Sequence, residues 1–208
     1  MKPILFNTAM VRAILDGRKT VTRRVVKARN TEIIDRPKWA KDPYWFNVIK
    51  TINGRKVATA DKILPPYNPG DILYVRETWC AKKASYPTGD CEIEYKAGGV
   101  EKFDMIIAVP TTKGEWKPSI HMPKEAARIF LRVTNVRVER LQDIMNDPPG
   151  PNNQVVREGC KYGCDFIALW ERTIKEADKP QHGWDANPWV WVIEFERISK
   201  EEAMKGCE

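Results

Sequence analysis

Arg18, Lys19, Thr20, Thr22, Arg23 and Arg24 crowd four cations and two hydroxyls into seven consecutive positions. Such a corner offers a compact, anion-facing surface. On spacing alone, a solvated basic turn is the simpler account. The neighbouring sequence says how the corner would be positioned. Residues 6–15 read as a short amphipathic helix, with Asn7 or Thr8 as N-cap and Met10, Ala13 and Ile14 on one face. Gly17 stands where a helix stop needs a left-handed residue. The sequence then turns β-branched, and Val25-Val26 extend a first strand out of the turn.

The chain has 208 residues, 42% hydrophobic and 30% charged, the composition of one folded domain with surface insertions and a charged tail at 199–208. No apolar run approaches a bilayer span, and the N-terminus lacks the apolar region of a signal peptide. A cytoplasmic protein without membrane contact is expected. A net charge of +7 favours acidic partners, of which nucleic acid is the commonest. Five cysteines, an odd number, argue against a complete disulfide framework. Cys160 and Cys164 are spaced too widely for a usual zinc pair, and His121 and His182 are the only histidines. Reduced, structural cysteines with no metal and no cofactor are the expectation.

The positioning elements follow from pattern. The region 30–64 reads as an insertion in which 44–49 and 56–60 pair as a hairpin across Asn53-Gly54. Residues 72–75 make a buried strand after a Pro-Gly turn, and 91–95 and 105–109 are further strand candidates. The segment 118–123 should be extended and lead into a helical turn at 123–127. Residues 129–140 form the longest strand, 141–144 a turn or helix, and 147–153 a loop. Residues 166–177 form an amphipathic helix, 189–198 a closing strand, and 199–208 a tail able to fray.

Several of these stretches resemble one family. The run Gly17-Arg18-Lys19-Thr20-Val21-Thr22-Arg23 is similar to the opening signature of ASCH-domain proteins, which are related to PUA RNA-binding domains. Residues 69–79, with Gly70-Asp71 and Arg76-Glu77 before Trp79, resemble the family's next strand. Residues 116–123 and 187–195 resemble segments of its longer, phage-type members. The resemblance runs from the N-terminus to about Arg197. It implies an α+β fold: a PUA-like β-barrel of mixed strands with flanking helices.

The resemblance also implies roles. In members that hydrolyse N4-acylated cytidine, a lysine is the general base, a threonine the nucleophile and a glutamate the proton donor. These positions match Lys19, Thr22 and Glu158. The chemistry suits the residue types, because a threonine hydroxyl needs a neighbouring base to become nucleophilic. A lysine serves as that base only where burial or nearby cations lower its pKa, and Arg18, Arg23 and Arg24 are at hand. Lys19 and Thr22 would lie on opposite faces of a regular strand, so the corner must turn between them. For Glu158 the alternative is an exposed acidic residue at a helix start.

Five more residues are candidates for binding. Arg76 could contact a phosphate or carbonyl, Glu77 hold a base edge and Trp79 stack on a base. Alternatively, Arg76 and Glu77 pair internally beside a core tryptophan. His121 is either a pocket wall or structural. Trp189, with Trp184 and Asn187, either closes a pocket or braces the final strand, and alternation puts Trp191 on the same face. Three functions remain open: a nucleoside- or RNA-base-binding amidohydrolase, a non-catalytic RNA-binding module of phage or prophage type, and a cysteine-based metal module.

Overall fold

The computed structural model describes residues 1–27, 31–39, 41–84, 91–103 and 114–206. Strand β1 (Lys2–Leu5) leads into helix α1 (Thr8–Leu15). Asn7 caps α1, its side chain accepting from the Met10 amide at 2.9 Å, and Met10, Val11, Ala13 and Ile14 form the buried stripe. The helix ends on Gly17, whose φ of +74° is the left-handed value its stop requires. The amides of Arg18 and Lys19 both turn back to the Ala13 carbonyl, at 2.9 Å.

Strand β2 (Val21–Val25) follows, and the insertion supplies β3 (Thr31–Asp35), β4 (Trp45–Ile52) and β5 (Arg55–Lys62). The β4–β5 hairpin turns on Asn53 and Gly54, both at positive φ, as a tight two-residue hairpin demands. Next come β6 (Ile72–Arg76), β7 (Trp79–Ala84), β8 (Cys91–Tyr95) and β9 (Val100–Phe103). The strand expected at 105–109 lies outside the described residues. Short 3₁₀ turns occupy Ser119–His121 and Lys124–Ala126, so 118–123 is not fully extended as expected. Pro118 and Pro123 flank the first turn but leave room for two 3₁₀ hydrogen bonds, from His121 N to the Pro118 carbonyl and from Met122 N to the Ser119 carbonyl.

Strand β10 (Phe130–Arg140) runs into a 3₁₀ turn at Leu141–Asn146. Then follow α2 (Gln154–Arg157), α3 (Gly163–Thr173), α4 (Lys179–His182), β11 (Trp189–Ile198) and α5 (Lys200–Lys205). The tail expected to fray carries α5, held by a reciprocal Ser199–Glu202 capping box, with Ala203 buried beneath it. No helix is long and apolar enough to cross a membrane.

The chain packs as two compact units. The first comprises Met1–Thr20, Gly70–Val133 and Phe195–Glu208. In it β1 lies parallel to β6, and β6 pairs antiparallel with the start of β10. The hairpin ladder β7–β8–β9 contributes Trp79, Ile93 and Tyr95 to a core shared with Met122 and Phe130.

The second unit comprises Val21–Pro69 and Thr134–Glu194. In it β2 pairs antiparallel with β11, placing Thr22 opposite Ile193 and Arg24 opposite Trp191. Directly opposed residues share a face. Thr22 and Arg24 therefore lie on one face of β2, and Val21, Arg23 and Val25 on the other. The second face packs on α2 and α3 through Val155, Phe166 and Trp170. The insertion is no loose appendage: β3–β4–β5 is an antiparallel sheet whose Phe46 and Val48 are fully buried. Phe46 sets its ring edge-on to both Trp189 and Trp191.

The fold is thus α+β and rich in sheet. The closed barrel expected from the resemblance is absent among the described residues. Strands 31–62 and 79–103 each form a separate three-stranded antiparallel sheet of hairpins rather than extending a single ring of strands.

Candidate functional site

Five polar or charged side chains are buried among the described residues: Lys19, Thr22, Arg23, Glu77 and Glu158. All five are sequence candidates. Burying such groups is costly unless they are paired or serve a site.

Lys19 belongs to the first unit. It follows the helix stop without joining β2, its side chain is 2% exposed, and its ammonium stands 5.8 Å from the centre of the Phe6 ring. Arg18, beside it, is exposed and paired with Asp16 at 2.8 Å.

In the second unit, Thr22 is 1% exposed, and its Oγ1 accepts a hydrogen bond from Arg24 Nη1 at 3.0 Å. A guanidinium at this atom favours the negative charge that develops there if the hydroxyl loses its proton. Burial pulls the Arg24 guanidinium below its usual value, while Glu158 and then Tyr67 act in the opposite direction.

Arg23 enters the other face of β2. Its Nη1 donates to Glu158 Oε1 at 3.1 Å and its Nη2 to Glu139 Oε2 at 3.4 Å and to Gln154. Gln154 also accepts from Arg137 Nη2 at 3.0 Å. Glu194 accepts from Arg137 and from Arg157, the latter at 2.8 Å. Three arginines and three glutamates thereby join in one network on this face. Burial alone would raise the Glu194 carboxyl, but Arg157 and Arg137 hold it below its ordinary value. Arg137 is likewise lowered by burial, but Glu139 and Glu194 outweigh this and raise it.

Glu158 sits at the C-cap of α2 and is buried, contrary to the alternative of an exposed residue at a helix start. Asn153 makes this position possible: it caps α2 through the Val155 amide and ties the loop by donating to the Asp147 and Pro148 carbonyls. Glu158 binds Arg23 on one face of β2 and acts electrostatically on Arg24, which lies on the other.

The remaining candidates form separate groups. Glu77 is held by Arg128 in a two-pronged pair at 2.9 and 3.0 Å, and Arg76 donates instead to the Met122 carbonyl at 2.8 Å. The internal Arg–Glu pair of the sequence alternative exists with a different arginine, because Arg76 and Glu77 are adjacent and point apart. Trp79 is 1% exposed in the first unit's core, and its indole edge and the exposed His121 line one cavity of about 430 Å³. Trp189 lines another, of about 480 Å³, in the second unit.

Sequence reasoning missed Arg128, Gln154, Glu139 and Arg140. Only Glu139 had a local signal, its alternation with Arg137 along β10. Among the described residues no cluster of His, Cys, Asp or Glu has the makings of a metal site. Comparison with protein-family models, with curated proteins and with solved structures finds no match to this chain.

Proposed function

We propose that this protein is an ASCH-type, PUA-like nucleoside-binding hydrolase that removes an acyl group from N4 of a cytidine. The observation that carries the proposal is the burial of Lys19, Thr22 and Glu158, the three residues that the motif resemblance marks for catalysis. Their burial has a physical cost that a solvated basic turn would not incur.

In the proposed reaction, Thr22 Oγ1 attacks the acyl carbonyl carbon and gives its proton to a general base, the role that the motif resemblance assigns to Lys19. Arg24 supports the developing charge on Oγ1. The bond from carbon to N4 breaks, N4 takes a proton from Glu158, and cytidine leaves. Water then hydrolyses the acyl ester on Thr22, restoring the hydroxyl and releasing the acid, and the proton held by the base returns through solvent to Glu158, which resets both groups. Arg23 orients the Glu158 carboxyl through Oε1.

The same burial weakens the alternative of an RNA-binding surface. A phosphate contact needs an accessible cation, yet the Arg23 side chain has no exposure and Lys19 has 2%. The test is hydrolysis of N4-acetylcytidine followed by chromatography, with wild type beside Lys19→Ala and Thr22→Ala. Turnover by wild type, lost in both variants, is the expected result. An inert wild type, with other N4-acylated cytosines equally untouched, would sink the proposal.

A further inference from the structure

Two residues that line the cavity beside Trp189 each carry a buried nitrogen without a hydrogen-bond partner among the described residues: the indole Nε1 of Trp189 and Nδ1 of His182. An indole nitrogen can only donate, so an acceptor is wanted there. The Arg140 guanidinium stands over the same indole, 4.3 Å from its centre. Its two terminal nitrogens donate to neutral carbonyls, those of Asn187 at 3.1 Å and Ile34 at 3.2 Å. Arg140 forms no ion pair among the described residues, so its charge is positioned without being neutralised. Lys27 adds a second cation at the rim, in a long, exposed pair with Asp178 at 3.5 Å. The acidic rim residue Glu32 already faces Lys56 at 3.9 Å.

The walls are prearranged. The Leu141 amide donates to the Pro188 carbonyl, and the Asn187 side chain accepts from the Gln142 amide, which holds Asn187 at a positive φ of 43°. Val26, Ile33 and Pro188 supply apolar surface.

We propose that this cavity binds a phosphate monoester of mononucleotide size. The phosphate faces Arg140, Lys27 and the Trp189 N–H, and the organic part rests on Val26, Ile33 and Pro188. A volume of about 480 Å³ is right for such a ligand. A tetrahedral dianion has enough oxygens to meet the indole, the imidazole and Lys27 together, and enough charge to answer two cations. A carboxylate has neither. Burial, then the charge of Lys27, lowers the His182 imidazole below its usual value, against the opposing pull of the Gln181 backbone and Asp178. The ring is therefore neutral, and its Nδ1 can donate to the phosphate as one tautomer. Only the choice of a cytidine nucleotide as probe rests on the hydrolase proposal; the preference for phosphate does not.

The test follows the indole N–H signals of the full ¹⁵N-labelled chain by NMR, with Trp189→Phe identifying the signal in question. Cytidine 5′-monophosphate and phenyl phosphate should both shift it saturably. Cytidine and benzoate should need at least roughly tenfold higher concentrations, the size of a lost charge-assisted bond. Lys27→Met, at an exposed position, should weaken phosphate binding by a similar factor while leaving the fold intact. A signal unmoved by either phosphate would overturn the site, as would equal response to benzoate. Failure of the hydrolase proposal registers separately, as an absence of acetylcytidine turnover.

Discussion

Replacing Arg128 by Met isolates one buried charge and allows its cost to be worked out. Glu77 is 1% exposed and Arg128 11%, so water screens their pair very little. Both guanidinium bonds, at 2.9 and 3.0 Å, end on the two oxygens of the carboxylate. Removing one partner of such a pair costs about 3–5 kcal/mol, because the other charge stays behind in a dry site. Arg128 also covers the Tyr95 ring at 4.0 Å, a contact that Met only partly replaces and that is worth about 1 kcal/mol. For a chain of this size the melting temperature should fall by roughly 8–15 °C.

The penalty should depend on pH. In the wild type, burial raises the Glu77 carboxyl above its usual value against the pull of Arg128, with a smaller push from Glu101. A carboxyl raised in the folded state binds its proton more tightly there than in the unfolded chain. Its ionisation then removes stability as pH rises from the unfolded pKa through the folded one. Without Arg128 the folded value climbs further, so the loss should be smaller near about pH 5 than near about pH 8. Urea denaturation at both pH values measures this. Adding Glu77→Gln to Arg128→Met should recover roughly half the loss. A loss under about 1 kcal/mol at either pH, or no recovery in the double variant, would refute the reasoning.

Two further outcomes follow from the site. Arg24→Met removes the cation at Thr22 Oγ1 and should lower kcat on N4-acetylcytidine roughly a hundredfold with little change in KM, read by steady-state chromatography. An unchanged kcat would remove Arg24 from the proposed chemistry. Gly17→Ala meets no atom within 4 Å, yet φ at +74° should still cost about 1–2 kcal/mol, measured by chemical denaturation. A neutral result there would mean that the helix stop before Lys19 tolerates another backbone path.

Much of this molecule was legible where a local rule acts alone. Asn7 as cap, Gly17 as stop and Asn53-Gly54 as hairpin turn each depend on the backbone preferences of one or two residues. Strand β10 shows in its hydrophobic pattern because much of one face is buried, and strand β11 shows as an apolar run because 190–193 are buried on both faces. Motif resemblance singles out Lys19, Thr22 and Glu158, but their burial has no local signature, since no periodicity marks a buried charge.

Tertiary structure decided the rest. Adjacency in sequence suggested Arg76 for Glu77, but neighbouring residues on a strand diverge, and the partner came from Arg128, fifty-one positions away. Glu158 gained its place through a bond to Arg23 across 135 positions. Whether strands join one ring or close their own hairpins depends on competition between long-range and local pairing, which no single stretch records. The orphaned nitrogens of Trp189 and His182 belong to the same class. Sequence determines which groups can donate or accept, but only packing leaves one of them without a partner.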